Sequence, residues 1–82
     1  MIFHKCYYIQ TQRVSLNVII NEEVFVNEIK VLDETGRVVI IKTPNSMITK
    51  YTIETLNLAE GVYIIQLITK DGQIYKKFVK GE

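Results

Sequence analysis

The sequence predicts an all-β fold, an immunoglobulin-like antiparallel β-sandwich of about seven strands. Val, Ile, Thr, Tyr and Phe dominate its short runs, the residues that fit a pleated, half-buried surface. Gly, Asn and Asp break those runs at short intervals, and no segment keeps apolar residues at helical spacing for long enough to build a helix. Short strands with frequent turn signals belong to sandwiches and barrels.

The strands are expected at residues 5–10, 13–20, 24–32, 37–42, 49–55, 62–69 and 73–80. Between the third and fourth, Asp33-Glu34-Thr35-Gly36 offers an aspartate able to bond its own backbone two residues on. Gly36 then supplies a left-handed position, so the two strands should form a hairpin. Pro44 removes a ladder donor and holds Thr43 extended, which puts a loop at Thr43-Pro44-Asn45-Ser46. In 62–69, Tyr63, Ile65 and Leu67 share one face, while Val62, Ile64, Gln66 and Ile68 share the other. Gln66 marks the second as outer. Lys70-Asp71-Gly72-Gln73 places Asp-Gly where a two-residue hairpin loop needs positive φ, with Gly72 as its structural residue. The final run, Ile74 to Lys80, does not alternate cleanly. Either a bulge interrupts it or lysine stems lie along the surface.

With 82 residues, 48% of them hydrophobic, the chain is expected to form one domain over 1–82. Folding at this size removes roughly 60–65% of the unfolded chain's surface. A two-sheet core about 10 Å thick, filled from both inner faces, leaves little room for a deep pocket, which argues against an enzyme. A net charge of +1 gives no field to gather nucleic acid or anionic lipid. The distribution is uneven: acidic between residues 21 and 36, basic at the end. One cysteine, Cys6, allows no internal disulfide, and with one histidine, His4, no ordinary zinc site assembles, so no metal or cofactor is expected. Met1-Ile2-Phe3 runs at once into His4 and Lys5, so neither a signal peptide nor membrane insertion is expected of the chain as written.

No catalytic constellation emerges. His4 stands without a Cys, Asp or Glu at ligand spacing, and Cys6 reads as a small buried hydrophobe. Glu22 and Glu23 are adjacent, so on a strand they point to opposite faces and cannot share a substrate. The most informative run is Leu56-Asn57-Leu58-Ala59-Glu60-Gly61-Val62-Tyr63. A glycine and then a tyrosine at the start of an apolar strand suit a tyrosine corner, in which the ring is buried and the hydroxyl returns to a backbone group a few residues upstream. Lys76, Lys77 and Lys80 have two readings. Lysines on a last strand discourage edge-to-edge pairing, or they form a basic recognition strip.

Taken together, residues from about Val14 to Lys80 resemble the type A C-terminal sorting domain of the type IX secretion system of Bacteroidetes. The matching pieces are Ile29 to Val39, with an Asp-x-x-Gly-Arg turn between two strands; Leu56 to Tyr63, a Leu-x-x-Gly-x-Tyr pattern; and the closing Lys76-Lys77-Phe78-Val79-Lys80. The resemblance implies a non-catalytic module that ends an exported protein and is recognised by the outer-membrane secretion machinery. By position it makes Gly36, Arg37, Gly61 and Tyr63 family-like, the glycines and tyrosine structural, and places Lys76, Lys77 and Lys80 near a recognition strip. The family's usual opening Pro-Asn-Pro element has no counterpart, since the only proline is Pro44. An alternative resemblance is to small immunoglobulin-like interaction modules of unassigned function, with oligomeric state open and an edge-strand dimer among the options.

Overall fold

The computed structural model describes residues 7–81; His4 and Cys6 lie outside the described residues. Six strands follow one another: β1 (Tyr7–Thr11), β2 (Ser15–Asp33), β3 (Val38–Lys42), β4 (Ser46–Glu54), β5 (Gly61–Thr69) and β6 (Gly72–Lys80). All pairings are antiparallel. The architecture is all-β, as expected, but the strand count is not the expected seven. Segments 13–20 and 24–32 are one strand, β2, of 19 residues. The break expected between residues 20 and 24 does not end the strand: no glycine or proline lies between Ser15 and Asp33, and the backbone stays extended through it.

The interruption appears in the pairing instead. Ile19 faces Lys50 and Val24 faces Ile48, so four residues of β2 oppose the single Thr49 of β4. A bulge of this kind bends the strand and sharpens its twist. β2 is therefore the spine of one curled six-stranded sheet. Its first half lies between β1 and β4, and its second half between β5 and β3, with β6 beyond β5. Val26 stands at the junction, facing Ser46 on one edge and Thr69 on the other.

A second irregularity switches the inward face. Leu16, Val18, Ile20, Val24 and Val26 are buried at even positions; after it, Ile29 and Val31 are buried at odd ones. The pairing with β5 slips between Val26 and Glu28, so Asn27 is the extra residue that flips the pleat. Ile53, Tyr63, Ile65, Leu67 and Phe78 complete the core from β4, β5 and β6. Each such side chain, moved fully out of water, contributes about 1.5–3 kcal/mol.

The expected faces of β5 hold: Tyr63, Ile65 and Leu67 are buried, while Ile64 is exposed and Gln66 half-buried on the other side. β6 pairs with β5 from Gly61↔Lys80 to Thr69↔Gly72 without a register shift, so no bulge interrupts it. Its even residues Ile74, Lys76, Phe78 and Lys80 face inward at the rim of the sheet, and the lysine stems there account for the broken alternation. The β5–β6 turn differs in detail from expectation. Thr69 and Gly72 are partners, so the loop is Lys70-Asp71, and only Gly72 takes positive φ, at 136°. The Thr69 hydroxyl accepts from the Asp71 N–H at 3.1 Å and donates to the Gly72 carbonyl at 2.8 Å, replacing the backbone geometry an Asp-Gly loop would need.

Candidate functional site

One pole of the molecule gathers most of the residues singled out in the sequence. Asp33 is the register partner of Tyr63, Tyr63 of Phe78, and Gly61 of Lys80. The β2–β3 turn, the β4–β5 connection and the end of β6 are thereby placed side by side.

The turn is built by Asp33. Its Oδ1 accepts from the Thr35 hydroxyl at 2.6 Å, the Thr35 N–H at 2.9 Å and the Arg37 N–H at 3.0 Å. Backbone bonds between Asp33 and Arg37 and from Gly36 to Asp33, both 2.9 Å, close the loop, and Gly36 takes the left-handed position at φ 90°. The Thr35 hydroxyl first, then the Arg37 N–H, the Thr35 N–H and the Arg37 charge, hold the Asp33 carboxyl below its ordinary value of 3.8, against a smaller opposing effect of desolvation. Oδ2 meets Arg37 Nε at 3.3 Å, and the rest of the Arg37 side chain is turned to solvent, 77% exposed.

The tyrosine corner forms as the spacing predicts. Tyr63 is buried, stacks on Phe78 with ring centroids 5.5 Å apart, and donates its hydroxyl to the Ala59 carbonyl at 2.6 Å. This bond pins the connection that carries the chain from β4, on one edge of β2, to β5 on the other. Gly61, at φ 153°, begins the strand. Lys80 adds a second tie by donating from Nζ to the Leu58 carbonyl at 2.9 Å.

The three lysines are therefore not one strip. Lys80 is bound into the corner, and Lys76 lies over the Tyr7 ring with Nζ 5.7 Å from its centroid, joining β6 to β1 by a cation–π contact. Lys77, the register partner of Ile64, projects from the opposite face. Glu22 and Glu23 are both exposed, and no cluster of His, Cys, Asp or Glu suited to a metal occurs among the described residues.

Sequence reasoning did not find the groove beside this pole. It holds about 610 Å³ and is lined by Asp33, Arg37 and Tyr63, by Val39, Ile40 and Lys42 of β3, and by Glu54 and Leu56 to Ala59. Its contributors come from four segments that only the fold brings together.

Compared with known protein families, the chain matches the family described as the secretion system C-terminal sorting domain, over residues 10–81. The chain belongs to this family. It is a C-terminal sorting signal for type IX secretion, a domain of secreted or cell-surface proteins that interacts with the secretion machinery. The sorting domain's matched segment begins within β1 and ends just beyond β6, so the family pattern and the folded sheet coincide. No curated protein matches the chain. Among solved structures, CopC from Methylosinus trichosporium OB3b is similar, with a TM-score of 0.53 and 16% identity over 92% of this chain and 91% of CopC. That likeness concerns the fold alone. Neither comparison supports the alternative of an interaction module of unassigned function.

Proposed function

We propose that the sorting domain is a non-catalytic address read by the outer-membrane secretion machinery as a folded surface, on an immunoglobulin-like framework. The observation that carries this reading is the convergence of the family-like residues Gly36, Arg37, Gly61, Tyr63 and Lys80 on one pole, where hydrogen bonds fix each connection. Within it, Gly36, Gly61 and Tyr63 set the backbone; Lys76 and Lys80 hold the sheet edges; and Lys77 and Arg37 are the cations presented outward. A signal that must be recognised after crossing one membrane gains from rigid presentation, because a preorganised surface spends less of its binding energy on ordering.

The test is a fusion carrying a signal peptide, a fluorescent reporter and this domain, expressed in a bacterium with a type IX system. The unaltered fusion is expected outside the outer membrane. Removal of residues 76–82 leaves it in the periplasm. Lys77→Gln lowers export with an unchanged melting curve, whereas a lysine triple variant (Lys76, Lys77 and Lys80 to Gln) also loses stability. An unaltered fusion retained in the periplasm refutes the reading.

A further inference from the structure

The free edge of β3 opens onto the groove at the pole. β3 pairs with β2 alone, so one side of Val38–Lys42 keeps its backbone N–H and C=O groups unpaired among the described strands. The other edge strands are interrupted by polar side chains. β6 has Lys76 and Lys77 at its middle, β4 has Lys50 and β1 has Gln10. Such residues discourage the addition of a further strand. β3 reads Val-Val-Ile-Ile before Lys42, an apolar run with no charge inside it, and the one irregularity in its pairing with β2 is the extra residue Val39 near its start.

What surrounds this edge fits an added strand on both faces. Outward, Val38 and Ile41 are 38% and 53% exposed; on the groove side, Leu56 is 67% exposed beside Val39 and Ile40. A strand laid against β3 would cover all of these with alternate side chains. Charge brackets the run: Arg37 stands before β3 and Lys42 ends it, five positions apart, about 17 Å of extended chain. Asp33 engages Thr35, the Arg37 N–H and, through Oδ2, Arg37 Nε at 3.3 Å, which leaves the outer part of the guanidinium, in a side chain 77% exposed, to meet a second acid. Glu54 also lines the groove, which disfavours an acid anywhere but at the two cationic ends of the run.

We propose that β3 accepts an extended segment of a partner protein by strand addition, and that this segment alternates apolar residues between carboxylates spaced to meet Arg37 and Lys42. The inference rests on the sorting reading and names the surface by which the secretion machinery is engaged. The peptide's backbone supplies hydrogen bonds to β3, its apolar side chains fill the groove, and its two acids set direction and register.

Two measurements test this. The purified domain is titrated with the blocked peptide acetyl-Glu-Val-Thr-Val-Thr-Glu-amide while amide hydrogen exchange is followed, with a Lys-for-Glu peptide as control. Slower exchange confined to β3 amides is expected with the acidic peptide alone, and Arg37→Gln with Lys42→Gln should weaken binding about tenfold. Protection elsewhere, equal protection by the control, or protection that appears without peptide and follows protein concentration, as for a second copy on this edge, overturns the proposal. In the export assay, Ile41→Lys guards the edge with an exposed charge. It is expected to keep the wild-type melting temperature and to leave the reporter in the periplasm. Normal export of folded Ile41→Lys refutes strand addition while leaving the sorting reading intact; failure of the unaltered fusion refutes the sorting reading itself.

Discussion

Lys80 donates from Nζ to the carbonyl of Leu58 at 2.9 Å, across 22 residues of chain. The last residue of β6 is thus fastened to the connection that turns β4 into β5. Lys80→Met keeps the stem and removes the donor, and is expected to cost about 1 kcal/mol. Equilibrium urea unfolding measures it, and no change in midpoint would show that the bond contributes nothing in solution.

The neighbouring bond from Tyr63 to the Ala59 carbonyl separates hydroxyl from ring. Tyr63→Phe should lose about 1 kcal/mol, and Tyr63→Ala about 3–5 kcal/mol, because the second also empties the space against Phe78. Similar melting curves for wild type and Tyr63→Ala would dismiss the corner as a stabilising device.

Asp33 makes the β2–β3 turn sensitive to acid. Its carboxyl is held below 3.8 in the folded chain by the Thr35 hydroxyl, then by the Arg37 N–H and lesser contributions. The ionised form is therefore favoured by folding. The stabilisation is complete above 3.8 and fades as pH falls below that value through the folded pKa. Asp33→Asn should lower the melting temperature at neutral pH and show a smaller acid-dependent loss than wild type below pH 3.8. Parallel melting curves for the two proteins across that range would contradict this.

Gly36 sits at φ 90° with open space where a Cβ would stand, so a substitution there acts through the backbone and not through a clash. Gly36→Ala is expected to cost about 1–2 kcal/mol, and Gly36→Asn less, since asparagine visits left-handed geometry more readily. Equal losses for both would point to another cause.

Tyr7 has a buried hydroxyl with no hydrogen-bond partner among the described residues, and burial pushes its pKa up to about 12. Folding thus favours the neutral phenol. Its contribution is present below the ordinary value of 10 and is lost as pH rises from there to about 12. Tyr7→Phe removes an unsatisfied group, so neutral-pH stability should stay level or rise, and the alkaline decline should shrink. Destabilisation by Tyr7→Phe at neutral pH would reveal a partner for the hydroxyl.

Local chemistry was legible in the sequence because it acts over a few residues. Asp33 and Gly36 specify their turn through bonds spanning two to four positions, and the Gly61-Val62-Tyr63 spacing specifies a corner whose hydroxyl reaches back four residues. The alternation of β5 likewise declared its inner face, and the Leu-x-x-Gly-x-Tyr and Asp-x-x-Gly-Arg patterns declared the family. Tertiary structure alone decided the rest. That residues 20–23 form a bulge within one strand, and do not separate two strands, depends on the register β4 adopts beside β2. The parting of Lys76, Lys77 and Lys80 depends on which neighbours the pleat presents to each: Tyr7 from β1, solvent, and Leu58 from the corner. The groove exists only because a bent β2 brings β3 beside the β4–β5 connection. Such features are set by contacts between residues far apart in the chain, and no local spacing encodes them.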